Sequence, residues 1–280
     1  MQSEIQTLLL FAIQLCLKSK EIISKNNKQI ETKENVTDLV TLTDKAVEDY
    51  IITEIKKKYP HHLFIGEESL RQEFTDQPTW IIDPIDGTTN FVHSFPYFCV
   101  SIGLCINKEP IVGVVFNPLQ NQLFYAGKNL GCYLSNDQFK DIGDGKKLFS
   151  TGDLPTSLSH TLVLTEYGAS KQQDILQLKL DNIKRVIDTA RGIRSVGSAA
   201  MSMALIAQGV ADLYYEYGTH CWDICAGVVL VRESGGIVEG VNSEFGLMKR
   251  NLVCMRGGNG DYKVLKEFNS LMVHIDYPSD

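Results

Sequence analysis

Apolar positions near the start of the chain recur every three to four residues. Ile5, Leu8, Leu9, Ala12, Ile13, Cys16 and Leu17 fall on one helical face, which predicts an amphipathic helix laid on a core. Ser3-Glu4-Ile5-Gln6 in front of it has the form of a capping box. The apolar run 8–17 is interrupted by Gln14 and is too short to span a bilayer. A polar stretch from Lys25 to Thr37 separates it from a second predicted helix, which starts near Thr43 and carries Val47, Tyr50, Ile51 and Ile55 on one face. Tyr59-Pro60 ends that helix. Leu63-Phe64-Ile65 reads as a short strand leading into Gly66-Glu67-Glu68-Ser69, and residues 80–82 begin another strand.

From 97 to 128 the pattern changes to β. YFCVSIGLCI, PIVGVVFNP and NQLFYAGK are apolar runs separated by the turn signals Asn107-Lys108 and 118–121, which predicts an antiparallel meander. Residues 135–160 are polar and rich in Gly, Asp and Ser. They suggest a loose boundary between halves 1–145 and 146–280 of a single domain. The second half alternates: a strand at 161–167, a helix at 171–185, a small-residue helix at 199–209 ending in glycine, a strand at 211–217 and a helix at 222–236. That alternation points to a mixed α/β half.

Composition narrows the class of protein. With 280 residues and 44% hydrophobic composition, the chain can bury a sizeable core. Its formal net charge of -7 disfavours nucleic acid and anionic membrane surfaces as partners. The seven cysteines are scattered and include no CxxC pair, which suits free thiols in a reducing cytoplasm.

The stretch 80–93, WIIDPIDGTTNFVH, sets two aspartates three residues apart. Like charges that close resist joint ionisation, so a positive partner is expected. Pro84 has no N–H and is expected to end the strand near Asp83. Gly87 permits an unusual backbone turn, and Thr88, Thr89 and Asn90 are suited to cap a helix starting there. A strand, a turn and a helix N-terminus together offer an anion site for phosphate. Asp83, Asp86 and the Ile85 carbonyl supply hard oxygen ligands suited to Mg²⁺. Glu67-Glu68 and Asp223 also sit at element ends, where sites of α/β proteins gather. Taken singly, each of these is an ordinary turn, surface pair or helix-start charge; together they suit a metal-dependent phosphate enzyme.

The motifs extend the picture. Asp83-Pro84-Ile85-Asp86-Gly87-Thr88-Thr89-Asn90-Phe91-Val92-His93 and Cys221-Trp222-Asp223-Ile224-Cys225-Ala226-Gly227 are both present. So are the stretches 38–44, Gly66-Glu67-Glu68-Ser69, 192–200 and Tyr214-Tyr215-Glu216. From about residue 5 to about 270 the chain resembles the inositol monophosphatase family. The resemblance implies an α+β fold, a five-layer αβαβα sandwich, usually as a homodimer. It implies two or three Mg²⁺ held by Glu67, Asp83, the Ile85 carbonyl, Asp86 and Asp223, with Asp83 bridging two. Thr88, paired with Asp44, would orient the attacking water, and Gly87 and Thr88 would offer amides to the phosphate. Glu216, Asp223 and the backbone of Ala199 would meet the inositol. Lithium sensitivity is a further implication. Cys225 departs from the family's usual small residue and reads as a buried thiol. His93 and His220 read as packing or hydrogen-bonding residues.

The expected activity is hydrolysis of inositol monophosphates to inositol and phosphate. A sister phosphatase acting on another sugar or nucleotide phosphate is the alternative, and a non-catalytic inositol-phosphate-binding module is a minor one.

Overall fold

The structure is a computed structural model that describes residues 2–25, 30–32, 39–69, 72–149, 152–168 and 172–280. Asp38, which opens the stretch 38–44, and residue 171, the first of the predicted helix 171–185, lie outside the described residues. The first helix, α1 (Gln2–Lys25), buries Ile5, Leu8, Leu9, Ala12, Ile13 and Cys16 as the periodicity predicts. It already runs from Gln2, so Ser3 is an internal residue rather than a cap, and its carbonyl accepts the Thr7 hydroxyl at 3.0 Å. A short antiparallel pair follows, β1 (Ile30–Thr32) with β2 (Leu39–Thr41). The second helix, α2 (Leu42–Lys58), buries Asp44, Val47, Glu48, Ile51 and Ile55. Two carboxylates therefore share the buried stripe of α2.

The first sheet has the order β3-β4-β5-β6-β7-β8-β9. Its strands are β3 (Leu63–Gly66), β4 (Thr79–Asp86), β5 (Cys99–Ile106), β6 (Glu109–Asn117), β7 (Gln122–Gly127), β8 (Gly131–Ser135) and β9 (Lys146–Leu148). The predicted meander is present as β5, β6 and β7. Two features differ from expectation. Strand β4 continues past Pro84 to Asp86, because its register on β5 shifts between Asp83–Ser101 and Asp86–Cys99. A bulge there removes the ladder bond that proline cannot make. Strand β9 lies in the polar stretch read as a boundary, yet it pairs with β8 and extends the first sheet. Gly87 follows β4 at φ 92°, and it caps the short helix α3 (Thr88–His93) by backbone alone. The threonines and Asn90 are inside the helix, not at its cap.

The second sheet has the order β11-β10-β12-β14-β13, built from β10 (Leu162–Thr165), β11 (Gly192–Arg194), β12 (Leu213–Tyr217), β13 (Ile237–Glu239) and β14 (Asn251–Met255). Its helices are α4 (Gln173–Thr189), α5 (Ala199–Gln208), α6 (Cys221–Glu233) and α7 (Lys263–Leu271).

Strand alternation sorts the layers, since successive side chains face opposite sides. Trp80, Ile82, Val100 and Ile102 join the core under α1 and α2. Ile81, Cys99 and Val115 face the other way and pack with α5, α6 and the inner residues Tyr214, Leu252 and Cys254 of the second sheet. Leu213, Tyr215, Val253 and Met255 face outward onto Val186 of α4 and Val264, Leu265 and Phe268 of α7. The result is helices, sheet, helices, sheet, helices, which is the five-layer αβαβα order.

Helix α6 lies unusually close to the first sheet. A Cβ on Gly103 would fall 2.3 Å from Cys225 Sγ, and one on Gly113 would fall 2.3 Å from the Ala226 carbonyl oxygen. The two glycines bring the helix that carries Asp223 down beside the strand paired to β4, which carries Asp83 and Asp86. Cys225 is a buried free thiol, 3.6 Å from Cys105 Sγ. The seven cysteines are all buried and free.

Candidate active site

Asp44 begins as a local device of the backbone. Thr41 is the N-cap of α2, and the Thr41 amide donates to Asp44 Oδ2 at 3.0 Å while the Thr41 hydroxyl donates to the same oxygen. This is a capping box, and it leaves Asp44 Oδ1 to accept the Thr88 hydroxyl at 3.2 Å. That hydroxyl is also 3.2 Å from the Ile85 carbonyl. Burial pushes the Asp44 carboxyl up to about 6, the Thr41 hydrogen bond opposes the rise, and the Glu67 charge adds to it. The predicted Thr88–Asp44 pair is thus joined at the turn after β4.

Four of the predicted ligand carboxylates share one electrostatic environment. Asp83 is 2% exposed. Burial holds its pKa well above the usual carboxylate range, and Glu67, Asp86 and Asp223 each raise it further. Its Oδ1 accepts the Ile85 amide at 3.0 Å across the bulge. Asp86 accepts the Ser198 hydroxyl and the Ala200 amide, each at 2.6 Å. Burial nevertheless raises its pKa to about 6. Asp223, the third residue of α6, accepts the His220 amide at 2.7 Å. Burial and the Asp86 charge raise its pKa well above the normal value.

Glu216 on β12 is also buried and accepts the Tyr214 hydroxyl. Burial first, then the Glu166 charge, lifts its pKa to about 8. Its charge reaches Asp223, so it adjoins the cluster. Ala199 is the first residue of α5, and its amide is turned toward Asp86.

Asp83, Asp86 and Asp223, which burial and repulsion drive to hold protons, join Glu67 in a set of hard oxygen donors that fits divalent cations of the Mg²⁺ kind. Among the described residues, no group of three such side chains yet stands at ion-holding distance. The fit is therefore one of donor chemistry and charge, not of a closed cage.

The parts played by Glu48, Glu166 and Asn90, the last of them inside the first motif, become visible only in three dimensions. Glu48, one turn after Asp44, accepts the Glu68 amide at 3.0 Å and lies where a Cβ on Gly66 would intrude at 2.6 Å. Its signal in the sequence is a second acidic residue on the apolar stripe of α2. Glu166 Oε1 accepts the Val196 and Gly197 amides at 2.6 and 2.8 Å. Asn90 Nδ2 donates to the Tyr97 and Val196 carbonyls at 2.5 and 2.7 Å. These two grip the loop before Ser198 from opposite sides. His93 is exposed, and the His220 ring stacks on Trp222 at 4.4 Å.

Comparison with known proteins agrees with this geometry. The sequence model of the inositol monophosphatase family matches residues 4–272. Inositol monophosphatase 1 of Rattus norvegicus is 40% identical over 275 residues, covering 95% of each chain. Inositol monophosphatase 2 of Homo sapiens is 41% identical over 235 residues, covering 81% of this chain and 78% of that one. The solved structure of the inositol monophosphatase from Anabaena (Nostoc) superposes with a TM-score of 0.80 at 28% identity, covering 96% of both chains. A matched family model over nearly the whole length, the five-layer order and the clustered carboxylates lead to one conclusion: this chain belongs to the inositol monophosphatase family.

Proposed function

We propose that this protein is a phosphatase that hydrolyses inositol monophosphates to inositol and phosphate, with Mg²⁺ as its metal. The observation that carries the reading is the Thr88 hydroxyl bonded to Asp44 Oδ1 beside the four-carboxylate cluster. Glu67, Asp83, Asp86, Asp223 and the Ile85 carbonyl would hold the cations, two or three in number. Bound there, they would supply Lewis-acid polarisation and a more acidic water.

The remaining steps belong to the chain. The Thr88 hydroxyl orients the attacking water, takes its proton and passes its own to Asp44, whose raised pKa suits it to receive one. The Gly87 and Thr88 amides face the phosphate. Glu216 and the backbone of Ala199 would take sugar hydroxyls, and Asp223 would serve both the metal and the sugar. Phosphoryl transfer asks mainly for positioning and charge stabilisation, and rigid elements carry each of these groups.

The relatives named inositol monophosphatase support the choice of substrate. A homodimer and lithium sensitivity come with the family resemblance. Seven free thiols support residence in a reducing cytoplasm. Among the described residues, no helix is long and apolar enough to cross a membrane.

A kinetic panel tests the substrate. Inositol 1-phosphate, fructose 1,6-bisphosphate and 3′-phosphoadenosine 5′-phosphate are compared at equal Mg²⁺. The highest kcat/KM is expected for the inositol ester. A preference for either of the others moves the protein to a sister activity.

A further inference from the structure

The segment after α7 has no regular structure but crosses back to the second motif. Ile275 is buried in the outer core. The Tyr277 ring packs where a Cβ on Gly218 would intrude at 3.1 Å, and the Lys179 ammonium and Arg250 guanidinium each stand 5.3 Å from its centroid. Asp280 then inserts its side chain, only 4% exposed, against the start of α6. Asp280 Oδ2 accepts the amide of Cys221, the first residue of that helix, at 2.8 Å. Asp280 Oδ1 is 2.5 Å from His220 Nδ1, and the Asp280 amide donates to the Met248 carbonyl at 3.0 Å.

The other ring nitrogen fixes the tautomer. Arg250 Nη2 lies 2.8 Å from His220 Nε2, and a guanidinium only donates. Nε2 must therefore accept, and the ring hydrogen sits on Nδ1, donated to Asp280. Arg250 is itself anchored on the Gly218 carbonyl at 2.8 Å and the Thr219 carbonyl at 3.3 Å. His220 is thus held from both sides, and its amide is the group that holds Asp223 Oδ2. The chain of contacts runs from Asp280 through His220 to Asp223.

We propose that Asp280 is a positioning residue of the active site, acting through His220 and the first amide of α6 to aim Asp223 into the carboxylate cluster. A carboxylate at a helix N-terminus satisfies an orphan amide and meets the positive end of the dipole. Partners behind a metal ligand commonly change metal affinity by about 10–100-fold when removed. The proposal rests on the reading of Asp223 as a Mg²⁺ ligand.

The test is Mg²⁺ binding by calorimetry on the full chain, for the parent, Asp280→Ala, Asp280→Asn, His220→Ala and the Asp280→Ala/His220→Ala double variant. Asp280→Ala is expected to weaken Mg²⁺ binding by about tenfold or more. Asp280→Asn is expected to fall between it and the parent, since one neutral acceptor remains. The double variant is expected to be little worse than the worse single one, because both changes break one chain of contacts. In Asp280→Ala the His220 Nδ1–H loses its acceptor while Arg250 still holds Nε2, so the Nδ1 and Nδ1–H resonances should shift toward those of a solvent-bonded ring with the tautomer unchanged.

Mg²⁺ binding as tight in Asp280→Ala as in the parent overturns the proposal, and so do additive losses in the double variant. If Asp280→Ala does not fold, Asp280→Asn carries the test: weaker Mg²⁺ binding in a folded Asn variant supports the clamp, and parent-like binding overturns it. A parent that binds no Mg²⁺ refutes the metal reading instead, which is a distinct failure.

Discussion

Thr88 and Asp44 show how one residue can serve the fold and the site together. Asp44 caps α2 through Oδ2 and receives the Thr88 hydroxyl through Oδ1. Thr88→Ala removes the hydroxyl and is expected to lower kcat by about 10²–10⁴-fold, while Thr88→Ser keeps most of it; steady-state kinetics of the pair checks this, and equal losses would remove the hydroxyl from the mechanism. Glu216 makes a second prediction, about pH. Its folded pKa is raised from 4.5 to about 8, so burial stabilises the protonated form. Its contribution to stability is complete below the unfolded value and is lost as pH rises through about 8. The metal-free parent should therefore lose stability from pH 5 to 8, at up to about 1.4 kcal/mol per pH unit per proton. Glu216→Gln should flatten that slope in denaturant titrations; an unchanged slope would contradict the assignment. At this scale the motif residues were legible in the sequence, because their types and spacing carry the chemistry. Glu48, Glu166 and Asp280 were not, because each acts on backbone amides or on a ring distant in sequence, with separations of 20, 30 and 60 residues.

Among the elements, the two motifs meet because α6 rests directly on β5 and β6. The missing Cβ atoms of Gly103 and Gly113 allow it. Gly113→Ala would place a methyl 2.3 Å from a helix carbonyl, an atom that cannot rotate away. Overpacking of this kind costs about 1–3 kcal/mol. We expect a lower denaturation midpoint and reduced turnover, since the helix that moves carries Asp223; a parent-like midpoint would show that the gap closes without strain. Helices with strong periodicity, such as α1 and α2, were readable from the chain alone. The passage of β4 beyond Pro84 was not, because a proline argues for a strand end unless a bulge supplies the unpaired position. Strand β9 was hidden for another reason: Lys146-Lys147-Leu148 has a single buried residue and takes its β form from pairing with β8.

Across the whole molecule, five layers bring carboxylates from β4, from the turn after β3 and from α6 to one place, with Glu216 arriving from the second sheet. The layer order follows from strand alternation in both sheets, whereas the convergence of distant acidic residues depends on topology that no local pattern encodes; the family motifs supplied it in advance. Without a cation these buried carboxyls must hold protons to avoid repulsion, and with one they can ionise, which makes metal-dependent hydrolysis centred on Asp83 the point to test. The most direct measurement is phosphate release from inositol 1-phosphate by the parent and by Asp83→Asn, each with Mg²⁺ and after chelation. Turnover by the parent is expected with Mg²⁺, none after chelation, recovery when Mg²⁺ is restored, and no turnover by an Asp83→Asn protein that still unfolds cooperatively. Metal-independent release by the parent, or parent-like activity in Asp83→Asn, would contradict it.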